Sequence, residues 1–359
     1  MQFNIDQDTG SSISGWIAPD SPEAVPRVVV SIPDREPIVV AANRSRPDLR
    51  ELGMHSTGMI GFCIDRTIVP DLDTCSGVSL HEERSGVLIH RRHDGLPAKV
   101  FVLDSSLGAA NAASLRAHLE ATFTLTYDAL ERHPFDTLFA VLNNQTQASI
   151  FACGRLPLSR YLNLLRANGF VCAAVLRHPF EELGYRLQIA HDAARGSAPP
   201  AGDYATGLEP LVELMSDVNV GDLTAFQTAM QNLTAAQASA IANPHLRLLA
   251  CSRDEVPQRK HIPLALEALA TMDVVGSYGR FDGFVEILAE VVGHPVLNAY
   301  RPDPSYTARE LAGVLARSEA IRKLLSLDLA LHSYIEDAFS SADRELKRCQ
   351  EGSDGSVPR

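Results

Sequence analysis

KVFVLDSSLGAANAASLRAHL, residues 99–119, decides the fold class. Five β-favouring positions run into a loop of small side chains, Asp104 to Asn111. A segment with Leu115, Leu119 and Phe123 at i, i+4 spacing follows. The pattern predicts a strand, a short connection and an amphipathic helix. Small residues at such a turn let an anion approach peptide N–H groups and a helix N-terminus. The loop departs from G-x-x-x-x-G-K-[ST], and no lysine or arginine stands in it. Either the backbone alone forms a cradle, or Ser105 and Ser106 cap the helix while the small residues allow close packing.

Downstream the same alternation continues. TLFAVL (137–142), SIFAC (149–153) and VCAAVL (171–176) are expected as strands, and PLSRYLNLLRANG (157–169) as a helix closed by Asn-Gly. A βαβ series of this kind builds a central parallel sheet with helices on both faces, an α/β fold. GSAPPAGD (196–203) is a loop by composition, and the remainder is mostly helical. Within it LTAAQASAIANP (233–244) is an alanine-rich helix. TMDVVGSY (271–278) adds a further short strand before the helix FDGFVEILAEVVG, and EGSDGSVPR (351–359) reads as disordered.

Upstream, VPRVVVSI (25–32), PIVVAA (37–42), MIGFCI (59–64) and GVLIHRR (86–92) are short β-branched runs separated by turn residues. They predict a small antiparallel β-sandwich ahead of the α/β domain. The expected domains are 1–96, 97–348 and a tail of 349–359.

The 359 residues carry a net charge of −12, 45% hydrophobic and 21% charged side chains. That balance opposes binding of nucleic acid or anionic lipid over a broad surface, so any phosphate site must be local. No stretch approaches the run of about 20 apolar residues needed to span a membrane, and the first residues lack a leader's basic and apolar regions. A cytoplasmic location is expected, with no integral membrane segment; self-association is left open. Six dispersed cysteines form no C-x-x-C pair, and no histidine or carboxylate spacing suggests a metal.

Ligands of parallel sheets bind beyond the carboxyl ends of the strands. The loop after the first of these strands offers Ser105, Ser106, Gly108 and Asn111. After SIFAC comes Gly154-Arg155, where a guanidinium could grip an oxyanion or sit on a solvated turn. After VCAAVL comes Arg177-His178-Pro179, with Pro179 starting a helix and Glu181 and Glu182 in its first turn. Arg177 is there either a ligand for a phosphate monoester or half of an ion pair. His133, His178 and Glu131 are candidate bases, with Asp104 a fourth.

LRHPFEELGYRL (176–187) resembles the 3′-phosphate-binding segment of the sulfotransferase superfamily, whose members use 3′-phosphoadenosine 5′-phosphosulfate (PAPS). NPHLRLLA (243–250) is similar to the Asn-x-x-x-Arg-x-Leu stretch of its bacterial, carbohydrate-directed branch. Residues 265–293 resemble that branch's closing strand, Val-Gly turn and helix. The segments occur in the family's order. The resemblance implies a sulfotransferase-like P-loop-type fold and PAPS as co-substrate, with a bacterial surface saccharide or its lipid-linked precursor as acceptor. It implies that the 104–111 loop holds the 5′ side and Arg177 the 3′-phosphate. The chain departs from the family in three places: Asp104-Ser105-Ser106 replaces a Lys-Ser-Gly-Thr run, Tyr185 stands where a serine is usual, and Gly154-Arg155 replaces Gly-His. Arginine stays protonated and is a poor base, so either Arg155 supplies the missing cation or this transfer has been lost. Another phosphate-bearing donor, such as a nucleotide sugar or coenzyme A, is then an alternative, as is a non-catalytic saccharide-binding or scaffold role. The N-terminal stretch 13–65 is similar to β-rich modules preceding bacterial polysaccharide-modifying enzymes; its Trp16 is either a sugar platform or core.

Overall fold

A computed structural model describes residues 1–103, 112–196, 202–252, 255–298, 300 and 306–353. The N-terminal elements are β1 (Gln2–Asp8), β2 (Ser12–Ala18), β3 (Arg27–Ser31), β4 (Ile38–Ala41), β5 (Arg44–Ser45), α1 (Pro47–Glu51), β6 (Met59–Asp65), β7 (Ser79–Glu82) and β8 (Leu88–Arg91). They form two antiparallel four-stranded sheets, ordered β1-β2-β6-β5 and β4-β3-β7-β8. Alternation places Ile13, Gly15 and Ile17 of β2 inward and Ser12, Ser14 and Trp16 on the opposite face. Asp8 of β1 ties the two sheets together. Its carboxylate accepts from Arg92 at 2.8 and 2.6 Å and bonds His90 Nε2 at 2.9 Å. These partners hold the Asp8 carboxyl at about 2, against the burial that would raise it.

The alternating series follows as β9 (Lys99–Leu103), α2 (Ala112–Thr122), β10 (Leu125–Tyr127), α3 (Phe135–Leu142), β11 (Ile150–Gly154), α4 (Leu158–Ala167), β12 (Phe170–Leu176) and α5 (Pro179–Ala194). Beyond it lie α6 (Gly202–Ser216), α7 (Leu223–Gln231), α8 (Ala235–Ile241), α9 (Pro244–Ala250), α10 (His261–Ala270), β13 (Val274–Ser277), α11 (Phe281–Val292), α12 (Tyr306–Leu315), α13 (Glu319–Leu324) and α14 (Ser326–Ser353). The sheet has five strands in the order β10-β11-β9-β12-β13. The pairings β10–β11, β11–β9 and β9–β12 are all parallel. This confirms the α/β class, a parallel sheet with antiparallel sheets ahead of it. Val100, Phe101, Val102 and Leu103 are buried, the near-continuous apolar run of a strand covered on both sides.

One expected strand is a helix. TLFAVL lies in α3, with Thr137, Leu138, Val141 and Leu142 buried and Phe135 and Phe139 exposed. A short apolar run does not separate strand from helix by periodicity alone, and here the flanks decide. Pro134 sets the helix entry, and Asp136 in the first turn complements the helix dipole. The sheet position is taken instead by β10, only three residues long.

The chain forms two compact units. One holds Met1–Leu156, Leu162–Val175 and Asp282–Asp303; the other holds Pro157–Tyr161, Leu176–Phe281 and Pro304–Arg359. In the first unit the N-terminal strands are joined to the parallel sheet: Tyr127 at the end of β10 donates its hydroxyl to the Leu88 carbonyl of β8 at 2.8 Å. Arg91 donates to the carbonyls of Glu120 and Phe123. The second unit has its own core, in which Leu183 and Leu187 of α5 pack with Leu211 and Met215 of α6, Phe226 of α7 and Leu311 of α12.

Candidate functional site

In the first unit, register aligns Leu103 of β9 with Gly154 of β11, so the chain leaves both strands at one edge. Gly154 has a φ of 153°, and a Cβ there would meet Glu131 Oε2 at 2.4 Å and the Leu130 nitrogen at 2.6 Å. Glycine is required by this approach. The Glu131 carboxylate, on a 3-10 turn (Leu130–Arg132) after β10, accepts the Arg155 N–H at 2.9 Å. Burial raises the Glu131 carboxyl; the backbone bond and charge of Arg155 oppose that. His133 closes the same turn, and burial lowers its imidazole, with Asp128 opposing. Thus Arg155, Glu131 and His133 belong to this edge of the sheet. Ser105, Ser106, Gly108 and Asn111 lie outside the described residues.

In the second unit, Arg177 directly follows β12. Its guanidinium carbon lies 3.6 Å from the centre of the Tyr278 ring and 4.8 Å from that of Tyr185. Two aromatic rings thus pack against a guanidinium, a cation whose forked donors suit a phosphate or sulfate oxygen pair. Tyr185, on α5, meets Arg177 through its ring. Tyr278 was not singled out in the sequence; its place immediately after β13, within GSYGRFD, was the available signal.

His178 is the N-cap of α5, with Nδ1 accepting the Phe180 N–H at 3.4 Å. It meets His332 of α14 edge to face, ring centres 4.8 Å apart. Burial lowers the His178 imidazole, with Glu181 opposing, while burial and the neighbouring His178 and His245 bring His332 down to about 4. Among the described residues no group of three or more His, Cys, Asp or Glu side chains is arranged to hold a metal ion.

A second polar array in this unit was also missed. Cys251 Sγ lies 3.5 Å from His261 Nδ1, and His261 Nε2 lies 2.9 Å from Glu255 Oε1. The connectivity is that of a nucleophile, base and orienting carboxylate, but the hydrogen bonds oppose activation. His261 Nδ1 accepts the Gln258 N–H at 2.9 Å, so Nε2–H faces Glu255 and the lone pair is already engaged. Burial raises the Cys251 thiol, keeping it protonated. The array fastens the chain ahead of α10.

No family model, curated protein or solved structure matches the chain.

Proposed function

We propose that the protein transfers a sulfuryl group from PAPS to a hydroxyl of a bacterial surface saccharide or its precursor, on a sulfotransferase-like P-loop-type fold. The observation that carries the reading is the Arg177 guanidinium held against the Tyr278 and Tyr185 rings at the exit of β12. A phosphate monoester is bound more tightly by a cation already held in place, and the two ring contacts restrain this one. The resemblance of LRHPFEELGYRL to a 3′-phosphate segment assigns Arg177 to the donor's 3′-phosphate.

In the reaction the acceptor oxygen attacks sulfur, the bond from sulfur to the 5′-phosphate oxygen breaks, and the acceptor's proton passes to a base. Burial favours the neutral imidazole of His178, the residue next to Arg177 in the same unit, which suits it to take that proton. The test is calorimetric titration of the full chain with 3′-phosphoadenosine 5′-phosphate. Saturable one-to-one binding is expected; absence of heat up to about 1 mM nucleotide, a binding free energy weaker than about −4 kcal/mol, would remove the donor assignment.

A further inference from the structure

Trp16 is the chain's only tryptophan, and it packs on the edge of a small core cluster while staying partly exposed. It lies half-buried in the middle of a cross-strand row, paired with Asn4 of β1 on one side and Gly61 of β6 on the other, with Arg44 of β5 opposite Gly61. Gly61 has no side chain with which to cover the indole. A Cβ there would meet the Arg44 carbonyl at 3.1 Å and Arg46 Cγ at 3.2 Å. Below, the ring rests against Ala18, Leu49 and Ile60 with Met54, which fixes its orientation. Among the described residues the indole N–H has no hydrogen-bond partner.

The Arg46 guanidinium stands 6.0 Å from the ring centre. It is held there by Asp6 at 2.7 Å and by Asp48 at 2.8 Å, while Asn4 Nδ2 donates to the second Asp6 oxygen at 3.5 Å. An oriented aromatic ring is thus bordered by amide, carboxylate and guanidinium groups on one solvent-facing row. These ions pair with one another, so the border offers hydrogen-bond donors and acceptors without an uncompensated cation for an anion. Apolar ring faces with equatorial hydroxyls at their rims match that combination; phosphates and sulfates do not.

We propose that Trp16, Asn4, Asp6 and Arg46 form a binding subsite for a neutral hexopyranose chain, the sugar face stacking on the indole and its hydroxyls meeting Asn4 and the Asp6–Arg46 pair. The site is separate from the transferase reading, since no nucleotide enters it.

Because Trp16 is the sole tryptophan, its emission reports this ring alone. The full chain is titrated with cellotetraose, maltotetraose and tetra-N-acetylchitotetraose, with glycerol as a solvent control and a heparin tetrasaccharide as an anionic one. At least one neutral tetrasaccharide is expected to shift the emission saturably below about 10 mM. Asn4→Ala and Arg46→Met are each expected to weaken that binding roughly tenfold, with circular dichroism verifying the fold. Asn4→Ala leaves the Arg46 ion pairs in place, so it tests the hydrogen bond should Arg46→Met unfold the sheet. No saturable shift with any neutral sugar, a shift with the anionic one alone, or full affinity in Asn4→Ala would overturn the proposal.

Discussion

Asn243 and Asp328 cap each other's helices. The Asp328 carboxylate, fully buried, accepts the His245 and Leu246 N–H groups of α9 at 2.8 and 3.0 Å. Asn243 Oδ1 in turn accepts the Leu327 and Asp328 N–H groups of α14 at 3.0 and 3.1 Å. Two helix starts more than 80 residues apart in sequence thus satisfy four N–H groups with two side chains. Asn243 holds a φ of +46°, the left-handed region that asparagine tolerates better than most residues.

Removing either side chain leaves buried donors without a partner. Asp328→Ala is expected to cost about 2–4 kcal/mol and Asn243→Ala about 1–2 kcal/mol of unfolding free energy. Since both act at one junction, the double variant should fall short of the sum by roughly 0.5 kcal/mol or more. Urea titrations read all three. Strict additivity would show that the caps act independently.

Gly154→Ala should destabilise the first unit by about 1–3 kcal/mol, because the new Cβ collides with Glu131 and Leu130. Adding Glu131→Ala removes one of the two collisions and should restore part of the loss. An unchanged thermal midpoint in Gly154→Ala would contradict this packing.

Acid should weaken the second unit through His332. Its folded value of about 4 lies below the ordinary 6.5, so the unfolded chain binds more protons in between. Its contribution is therefore complete above pH 6.5 and lost as pH falls from 6.5 through 4. His178 and His245 oppose the charge, adding to the effect of burial. His332→Leu should reduce the loss of stability between pH 7 and 4.5 by on the order of 1 kcal/mol, allowing for solvent screening. Identical pH profiles for the two chains would refute it.

The sequence made the strands ending at Leu103, Gly154 and Leu176 legible because parallel strands buried on both faces leave unbroken apolar runs. Helices α4 and α5 were legible for a different reason, the stop signal Asn168-Gly169 and the start at Pro179. TLFAVL misled because its apolar run fits either period, and β10 escaped notice because three residues carry no pattern. Arg177 could be chosen from its place after a strand, but Tyr278 lies 101 residues later, and only tertiary contact joins them. The Asn243–Asp328 exchange and the Cys251–His261–Glu255 array escaped for the same reason: hydrogen bonds across a fold leave no spacing rule.

The central claim is that Arg177 recognises a phosphate monoester, and it is tested most directly by comparing two nucleotides that differ by that group. The full chain and Arg177→Ala are titrated with 3′-phosphoadenosine 5′-phosphate and with adenosine 5′-phosphate. The wild-type chain is expected to prefer the bisphosphate by more than about tenfold, equivalent to about 1.4 kcal/mol, and Arg177→Ala to bind both alike. Equal affinities in the wild-type chain, or a preference that survives in Arg177→Ala, would contradict it.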